Sequence, residues 1–239
     1  MGRLFSIADI HGEIKLLRKL WDDLVTNHAL DLTQDKVIFT GDYVDRGPDS
    51  YGVLEFIYKL TEDHPLNVIA LAGNHEWMMI QYYSRGAVGD KELWESNGGL
   101  ETIESFQKAG FNSCPQHLLK WLAFAPLSYQ EPGFFFSHAP APAEWARSFM
   151  YKGQADFVPD ELIWTYHPDE KGVARNHGNG IVGVCGHIHQ LRKGILAPRF
   201  YDHYIYGDSG AGCSKKAPLC AINVVTREVI YAWPDPVVK

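Results

Sequence analysis

Apolar residues along this chain fall into short blocks separated by amphipathic stretches, and block after block ends in a polar cluster. Leu4-Phe5-Ser6-Ile7-Ala8 has the length of a strand and stops at Asp9-Ile10-His11-Gly12. Ile14, Leu17, Leu20, Trp21, Leu24 and Val25 then recur at helical spacing, which predicts an amphipathic helix over about 13–26. Val37-Ile38-Phe39 is a second buried run. It leads into Gly41-Asp42-Tyr43-Val44-Asp45-Arg46-Gly47 and then Pro48-Asp49-Ser50, a turn and helix start. Val53, Leu54, Phe56, Ile57 and Leu60 mark a second helix, ended by His64-Pro65. Val68-Ile69-Ala70-Leu71-Ala72 is a third strand ending in Gly73-Asn74-His75-Glu76, with a helix opening at Trp77. Three strand–loop–helix units in succession imply right-handed crossovers and a parallel or mixed central sheet.

Beyond residue 80 the pattern changes. Residues from about 81 to 125 carry Gly, Asn, Trp and Tyr with helical patches at Leu100–Phe106 and His117–Phe124, and read as a mostly helical insertion beside the site. Leu127–Tyr129 and Phe134–Phe136 read as strands joined by a turn at Glu131-Pro132-Gly133, the second ending at Ser137-His138. Residues 140–180 read as a long functional loop with one helical turn near Glu161–Trp164. Ile181–Cys185 is a further strand, ending at Gly186-His187-Ile188-His189. The tail holds strands at Tyr204–Tyr206, Leu219–Val224 and Val229–Ala232, with a Gly-rich turn at Gly207–Gly212. With no repeat or linker, residues 1–239 read as a single domain with insertions at about 81–130 and 140–180 bordering the site.

Composition adds exclusions. A net charge of −7 argues against a nucleic-acid-binding surface, which needs a basic patch. No apolar run approaches the roughly 18 residues needed to span a bilayer, and no signal peptide opens the chain. Met1-Gly2-Arg3-Leu4-Phe5-Ser6 fits a loose myristoylation pattern but reads as the start of the first strand. Cys114, Cys185, Cys213 and Cys220 lack the close spacing of a zinc or redox motif and read as reduced thiols, which suits a cytoplasmic protein.

Five strands deliver Asp, Asn or His at the same kind of edge: Asp9/His11, Asp42/Asp45, Asn74/His75, His138 and His187/His189. Mixed imidazole and oxygen donors suit Mn²⁺, Fe²⁺ or Zn²⁺, and the absence of a cysteine from the set favours an open, catalytic site. There are too many donors for one ion, which points to two, with a single Asp bridging a pair about 3.5–4 Å apart as in two-metal phosphoester hydrolysis. Arg46 supplies a planar fork that matches phosphate oxygens.

Asp9-Ile10-His11-Gly12, Gly41–Gly47 and Gly73-Asn74-His75-Glu76 together resemble the signature segments of the phosphoprotein phosphatase branch of the calcineurin-like metallophosphoesterases, with Val44-Asp45-Arg46-Gly47 as the form specific to that branch. The resemblance is strong over residues 3–80 and rests on isolated histidines from 134 to 210. It implies an α/β fold of mixed sheets in a β-sandwich core flanked by helices, four layers in all. It implies two divalent cations, manganese first. Asp9, His11 and a bridging Asp42 hold the first; Asp42, Asn74, His138 and His187 hold the second. His75 becomes the general acid, Asp45 orients its ring, and Arg46 binds the phosphoryl oxygens. Attack by metal-bound hydroxide follows, without a phosphoenzyme. Ala8 stands where the family has Gly, with no loss expected. His189 is either a further ligand or a bystander, and Arg175 is a candidate second phosphate-binding arginine.

The leading expectation is a phosphomonoesterase acting on phosphoserine, phosphothreonine or phosphotyrosine in proteins. The alternative is a symmetrical dinucleoside polyphosphate hydrolase, for which Trp77, Tyr82, Tyr83, Trp94, Trp145, Trp164 and Tyr166 are candidate base-stacking residues. A non-catalytic scaffold predicts eroded motifs, and every expected metal-ligand position is intact.

Overall fold

The computed structural model describes residues 2–140, 160–165 and 180–236. Period-two alternation in its strands sorts the apolar side chains onto two faces. In β1 (Leu4–Ile7) and β2 (Lys36–Phe39), Phe5, Ile7, Val37 and Phe39 belong to one core, and Leu4 and Ile38 to another. The first sheet runs β10-β9-β1-β2-β3, with β3 at Val68–Ala70, β9 at Leu219–Asn223 and β10 at Glu228–Ala232. β1, β2 and β3 are parallel, and β9 is antiparallel to both its neighbours. α1 (Ile14–Thr26) and α2 (Ser50–Asp63) are the two crossovers, and their apolar stripes (Leu17, Leu20, Leu24; Val53, Leu54, Ile57) close the first core. Asp49 caps α2 by accepting from Gly52 N at 2.8 Å.

The second sheet runs β4-β5-β6-β8-β7, with β4 at Ser128–Glu131, β5 at Phe134–Ser137, β6 at Val182–Cys185, β7 at Arg199–Phe200 and β8 at Tyr204–Tyr206. β5, β6 and β8 are parallel to one another. Leu4, Ile38, Cys220 and Ile222 of the first sheet meet Phe136, Val184 and Ile205 of the second in a shared core. The single central sheet expected from the sequence is therefore two mixed sheets packed as a sandwich, in line with the fold the resemblance implied. Three parallel strands from each sheet end at one edge, where ligands of such sheets bind.

The stretch expected to be a helical insertion consists of α4 (Val88–Trp94), a wide turn at Glu95–Gly99 kinked at Gly98, α5 (Leu100–Lys108) and α6 (Gln116–Ala123). Trp94, Phe106, Leu118 and Leu122 join the first core, so this stretch is packed into the body of the fold. α3 spans Asn74–Arg85, starting three residues before the expected Trp77 because Glu76 bonds back to Gly73 N at 2.9 Å. α7 (Asp160–Ile163) matches the helical turn expected there, and β7 was not foreseen. All four cysteines are free thiols. Among the described residues no helix is long and apolar enough to cross a membrane.

Candidate metal centre

Eight non-glycine residues among those described have positive φ, and six of them lie at this edge: Asp9, His11, Asp42, Asp45, Arg46 and His187. Such backbone is costly outside glycine and persists only where neighbours over-determine it. Here the loops hold one another. Ile10 N and His11 N both donate to Asp42 O, at 2.8 and 2.9 Å, and Gly12 N donates to Tyr43 O at 2.8 Å. Glu76, fully buried, accepts from Asp42 N (2.8 Å), Tyr43 N (2.7 Å), Val44 N (3.3 Å) and Gly73 N (2.9 Å), joining the loop after β2 to the start of α3. Burial and the Asp42 carboxylate push Glu76 up to about 7.

Asp42 is the centre of the cluster. Its Oδ2 lies 3.6 Å from His11 Nε2 and 3.9 Å from His75 Nε2, and its Oδ1 lies 3.3 Å from His138 Nε2. Donor atoms of His11, Asp42 and His75 fall within 4.8 Å of one another, and so do those of Asp42, His138 and His187. One carboxylate thus belongs to two ligand groups, one per oxygen. Burial acts to raise Asp42, but His138, His75 and His11 around it hold it well below the usual carboxylate range.

The tautomers follow from the acceptors. His11 Nδ1 faces Val44 O at 2.8 Å and His138 Nδ1 faces Thr40 O at 2.8 Å. A carbonyl only accepts, so each Nδ1 carries hydrogen and each Nε2 is left to ligate. Burial and the neighbouring His75 and Arg46 charges push His11 well down, and burial with His138 pushes His187 down to about 3, so both stay neutral. His138 Nε2 lies 2.9 Å from Asn74 Oδ1 as well as near Asp42 Oδ1. Burial opposes protonation of His138, yet the Asp42 carboxylate at Nε2, with the Thr40 carbonyl and the Glu76 carboxylate, raises it above the usual imidazole range. A cation satisfies His138 Nε2, Asn74 Oδ1 and Asp42 Oδ1 without the proton, so this donor set fits a divalent ion with N and O preference.

Asp9 stands in neither group. Its carboxylate accepts from His187 N, which lies 3.0 Å from each oxygen, and burial with Asp208 and Asp42 raises it well above the usual range. Gly186 makes room for it, since a Cβ there would sit 2.0 Å from Asp9 Oδ1. His189 is likewise outside both groups and interacts with Asp208. Arg175 lies outside the described residues, as do Trp145 and Tyr166.

His75 Nδ1 donates to Asp45 Oδ2 at 2.6 Å, and burial raises the Asp45 carboxyl against the pull of His75, Thr102 and Trp94. The exposed Arg46 spans the mouth: Nη1 is 2.5 Å from His11 Nε2, Nη2 is 2.8 Å from His75 Nε2, and Nη1 also reaches Cys213 Sγ at 3.0 Å. Of the expected base-stacking aromatics, Trp94 is fully buried, with Tyr82 and Tyr83 against it, and Trp77 packs edge-on to Trp164.

Sequence reasoning gave no site role to Glu76 or Thr102, weighed Trp94 only for base stacking, and noted Asp208 only within a turn. Asp208 follows β8 at the same edge and obeys the strand-end rule that found the other five clusters, so the signal was there. Glu76 lies inside a quoted motif without an assigned task. Trp94 and Thr102 contact Asp45 from 49 and 57 residues away, and no local pattern marks them.

A profile described as Calcineurin-like phosphoesterase matches residues 2–191. The symmetrical bis(5'-nucleosyl)-tetraphosphatase of Bordetella pertussis is 27% identical over 180 residues, covering 74% of this chain and 57% of that protein. The chain spans about half the length of several such curated relatives, 45% in that of Aromatoleum aromaticum. The asymmetrical bis(5'-nucleosyl)-tetraphosphatase PrpE of Oceanobacillus iheyensis is 25% identical over 222 residues, covering 85% of this chain and 82% of that protein. In fold, the cold-active protein-tyrosine phosphatase of a Shewanella species superposes with a TM-score of 0.60 at 18% identity, over 98% of this chain and 78% of that one.

Proposed function

The chain belongs to the calcineurin-like phosphoesterase family, and on that premise we propose that it hydrolyses dinucleoside polyphosphates in a metal-dependent reaction. The observation that carries the chemistry is the Asp42 carboxylate, whose two oxygens face two separate histidine groups. Asp9, His11 and Asp42 would hold one cation; Asp42, Asn74, His138 and His187 would hold the other. When bound, the pair supplies Lewis acidity and offsets the negative charge of the reacting phosphoryl group.

The chain's own residues do the rest. Arg46 donates from both arms of its fork to Nε2 atoms of His11 and His75, and a phosphoryl group entering the mouth offers oxygens in place of those nitrogens. That exchange frees His75 Nε2 to face the leaving oxygen. Asp45, hydrogen-bonded to His75 Nδ1–H, stabilises the imidazolium from which Nε2 gives its proton.

The substrate class rests on the relatives: both are named as tetraphosphatases, and the asymmetrical one aligns over most of both chains. This reverses the order of the two readings drawn from the sequence. Phosphoprotein hydrolysis stays as the second reading because Val44-Asp45-Arg46-Gly47 has the form of the phosphatase branch. The test is kcat/KM of manganese-loaded protein for diadenosine tetraphosphate against phosphoserine and phosphotyrosine peptides. A preference of tenfold or more for the dinucleotide, about 1.4 kcal/mol in transition-state binding, is expected. An equal preference for a peptide would overturn the reading. The same assay separates two ADP products from ATP plus AMP, and so symmetrical from asymmetrical cleavage.

A further inference from the structure

The Asp45 carboxylate is fully buried, and three donors from outside its own loop converge on it. His75 Nδ1 lies 2.6 Å from Oδ2, Thr102 Oγ1 lies 2.7 Å from Oδ1, and Trp94 Nε1 lies 3.0 Å from both oxygens. The Thr102 hydroxyl has no capacity to spare. Its hydrogen goes to Asp45 Oδ1, and its two lone pairs accept from Asp45 N at 2.8 Å and from the Ser50 hydroxyl at 2.9 Å. Thr102 therefore grips Asp45 at both the carboxylate and the backbone amide, at a residue whose φ is 74°.

The turn between α4 and α5 brings these donors to the site. Gly98, at φ 101°, passes under the neighbouring loop so closely that a Cβ would sit 2.8 Å from Arg46 N, and its carbonyl accepts from that amide at 3.2 Å. Core packing alone does not require this pattern. A valine fills the space of a buried threonine, yet the hydroxyl here is aimed at one carboxylate oxygen and the indole N–H at the same group.

We propose that Trp94 and Thr102 are positioning residues for the reaction: they fix the Asp45 carboxylate in the orientation that keeps hydrogen on His75 Nδ1 and Nε2 aimed at the leaving oxygen, while Gly98 holds Arg46 in place beside them. This rests on the reading of His75 as proton donor. The stretch Trp94–Thr102 is then part of the catalytic apparatus, although none of it touches a reacting atom.

The test uses the full chain loaded with manganese and aryl phosphate monoesters of graded leaving-group pKa. The variants are Thr102→Val, Thr102→Ser, Trp94→Phe and, as reference, His75→Asn. Thr102→Val and Trp94→Phe are expected to lower kcat about 10- to 100-fold on the poorest leaving group and only slightly on p-nitrophenyl phosphate, with KM unchanged. Thr102→Ser, which keeps the hydroxyl, is expected to restore the wild-type profile. A second readout needs no turnover: ¹⁵N chemical shifts of labelled histidine in the zinc-loaded protein report the His75 tautomer, which is expected to lose its fixed Nδ1–H form in Thr102→Val and keep it in Thr102→Ser. Thr102→Val with wild-type leaving-group dependence and a wild-type tautomer overturns the inference. If His75→Asn itself leaves the profile unchanged, the proton-donor reading fails, and the tautomer alone still decides whether Thr102 and Trp94 orient the dyad. Should Trp94→Phe not fold, the Thr102 pair carries the comparison.

Discussion

Gly186→Ala is a one-carbon change whose cost follows from the geometry. The backbone at 186 is not in the left-handed region, so alanine suits the dihedral angles, and the effect is steric. The new Cβ would sit 2.0 Å from Asp9 Oδ1 and 3.1 Å from Asp9 Cγ, well inside contact distance. Ala8 Cβ, 3.3 Å away on the same side, limits how the alanine can lean. Asp9 must swing away and give up its hydrogen bond from His187 N. Overpacking costs about 1–3 kcal/mol, and losing a buried hydrogen bond about 0.5–1.5 kcal/mol. The sum, roughly 1.5–4.5 kcal/mol, is a large share of a typical folding free energy of about 5–15 kcal/mol. Urea unfolding of chelator-treated protein measures it free of the linkage that bound metal adds. Calorimetric titration with Mn²⁺ measures the second effect, a loss of affinity at the Asp9–His11–Asp42 position alone. Gly89→Ala is the control. It lies in α4 with nothing within 4 Å of its Cβ, so alanine there is expected to stabilise by about 0.5–1 kcal/mol. If Gly186→Ala matched wild type in both stability and manganese stoichiometry, the account of Asp9 as a carboxylate held in a glycine-sized space would be wrong.

Three further outcomes are expected. Asp42→Asn removes the carboxylate shared by both histidine groups, and should abolish metal binding and turnover together; retention of two manganese ions by elemental analysis would refute the bridge. Arg46→Lys keeps the charge but not the fork that spans His11 and His75, and should cut kcat/KM by about 10- to 100-fold with metal content intact; an unchanged kcat/KM would remove Arg46 from substrate binding. Away from the site, burial acts to raise Asp35, but hydrogen bonds from the Arg3 guanidinium and from the amides of Asp31 and Arg3 hold it below the usual carboxylate range. Because the folded value is depressed, this stabilisation is present above the unfolded value near about 3.9 and disappears as pH falls through the folded value. Asp35→Asn should therefore cost about 1 kcal/mol at pH 7, the half-exposed Arg3 being screened by solvent, and nearly nothing once the pH is below both values; a cost independent of pH would point to packing.

The parts of the site legible in the sequence share one property: they are local. Asp9 and His11 follow β1, Asp42 and Asp45 follow β2, Asn74 and His75 follow β3, and apolar runs announce each strand end. Two sheets were harder to foresee, because alternation tells which residues share a face and not which face packs on which. Leu4 and Ile38 look like any buried strand residues until Phe136 and Val184 are found across from them. Asp9 shows the opposite limit. Its type and place predict a ligand, but not that its oxygens also accept from His187 N, an interaction spanning 178 residues. Trp94 was visible as an aromatic and was weighed for base stacking; its indole N–H donates to the Asp45 carboxylate, 49 residues away, a contact no local pattern marks.

The six left-handed residues and the deep hydrogen-bond interlock have one physical explanation. Each strained backbone costs about 1–3 kcal/mol, so together they would consume most of an ordinary domain's stability unless other groups held them. The holding groups come from a neighbouring loop and from two helices: Asp42 O takes two amides of the first loop, Glu76 of α3 takes four amides of the second loop and of the α3 start, and Thr102 of α5 takes the Asp45 amide. Relaxing any one loop to an unstrained form would orphan buried N–H groups in another, at about 1–3 kcal/mol each. The strained arrangement is therefore the lowest state of the set, although no member would adopt it alone. A site built this way keeps its donors converged before any cation or phosphate arrives, and so does not have to order them on binding.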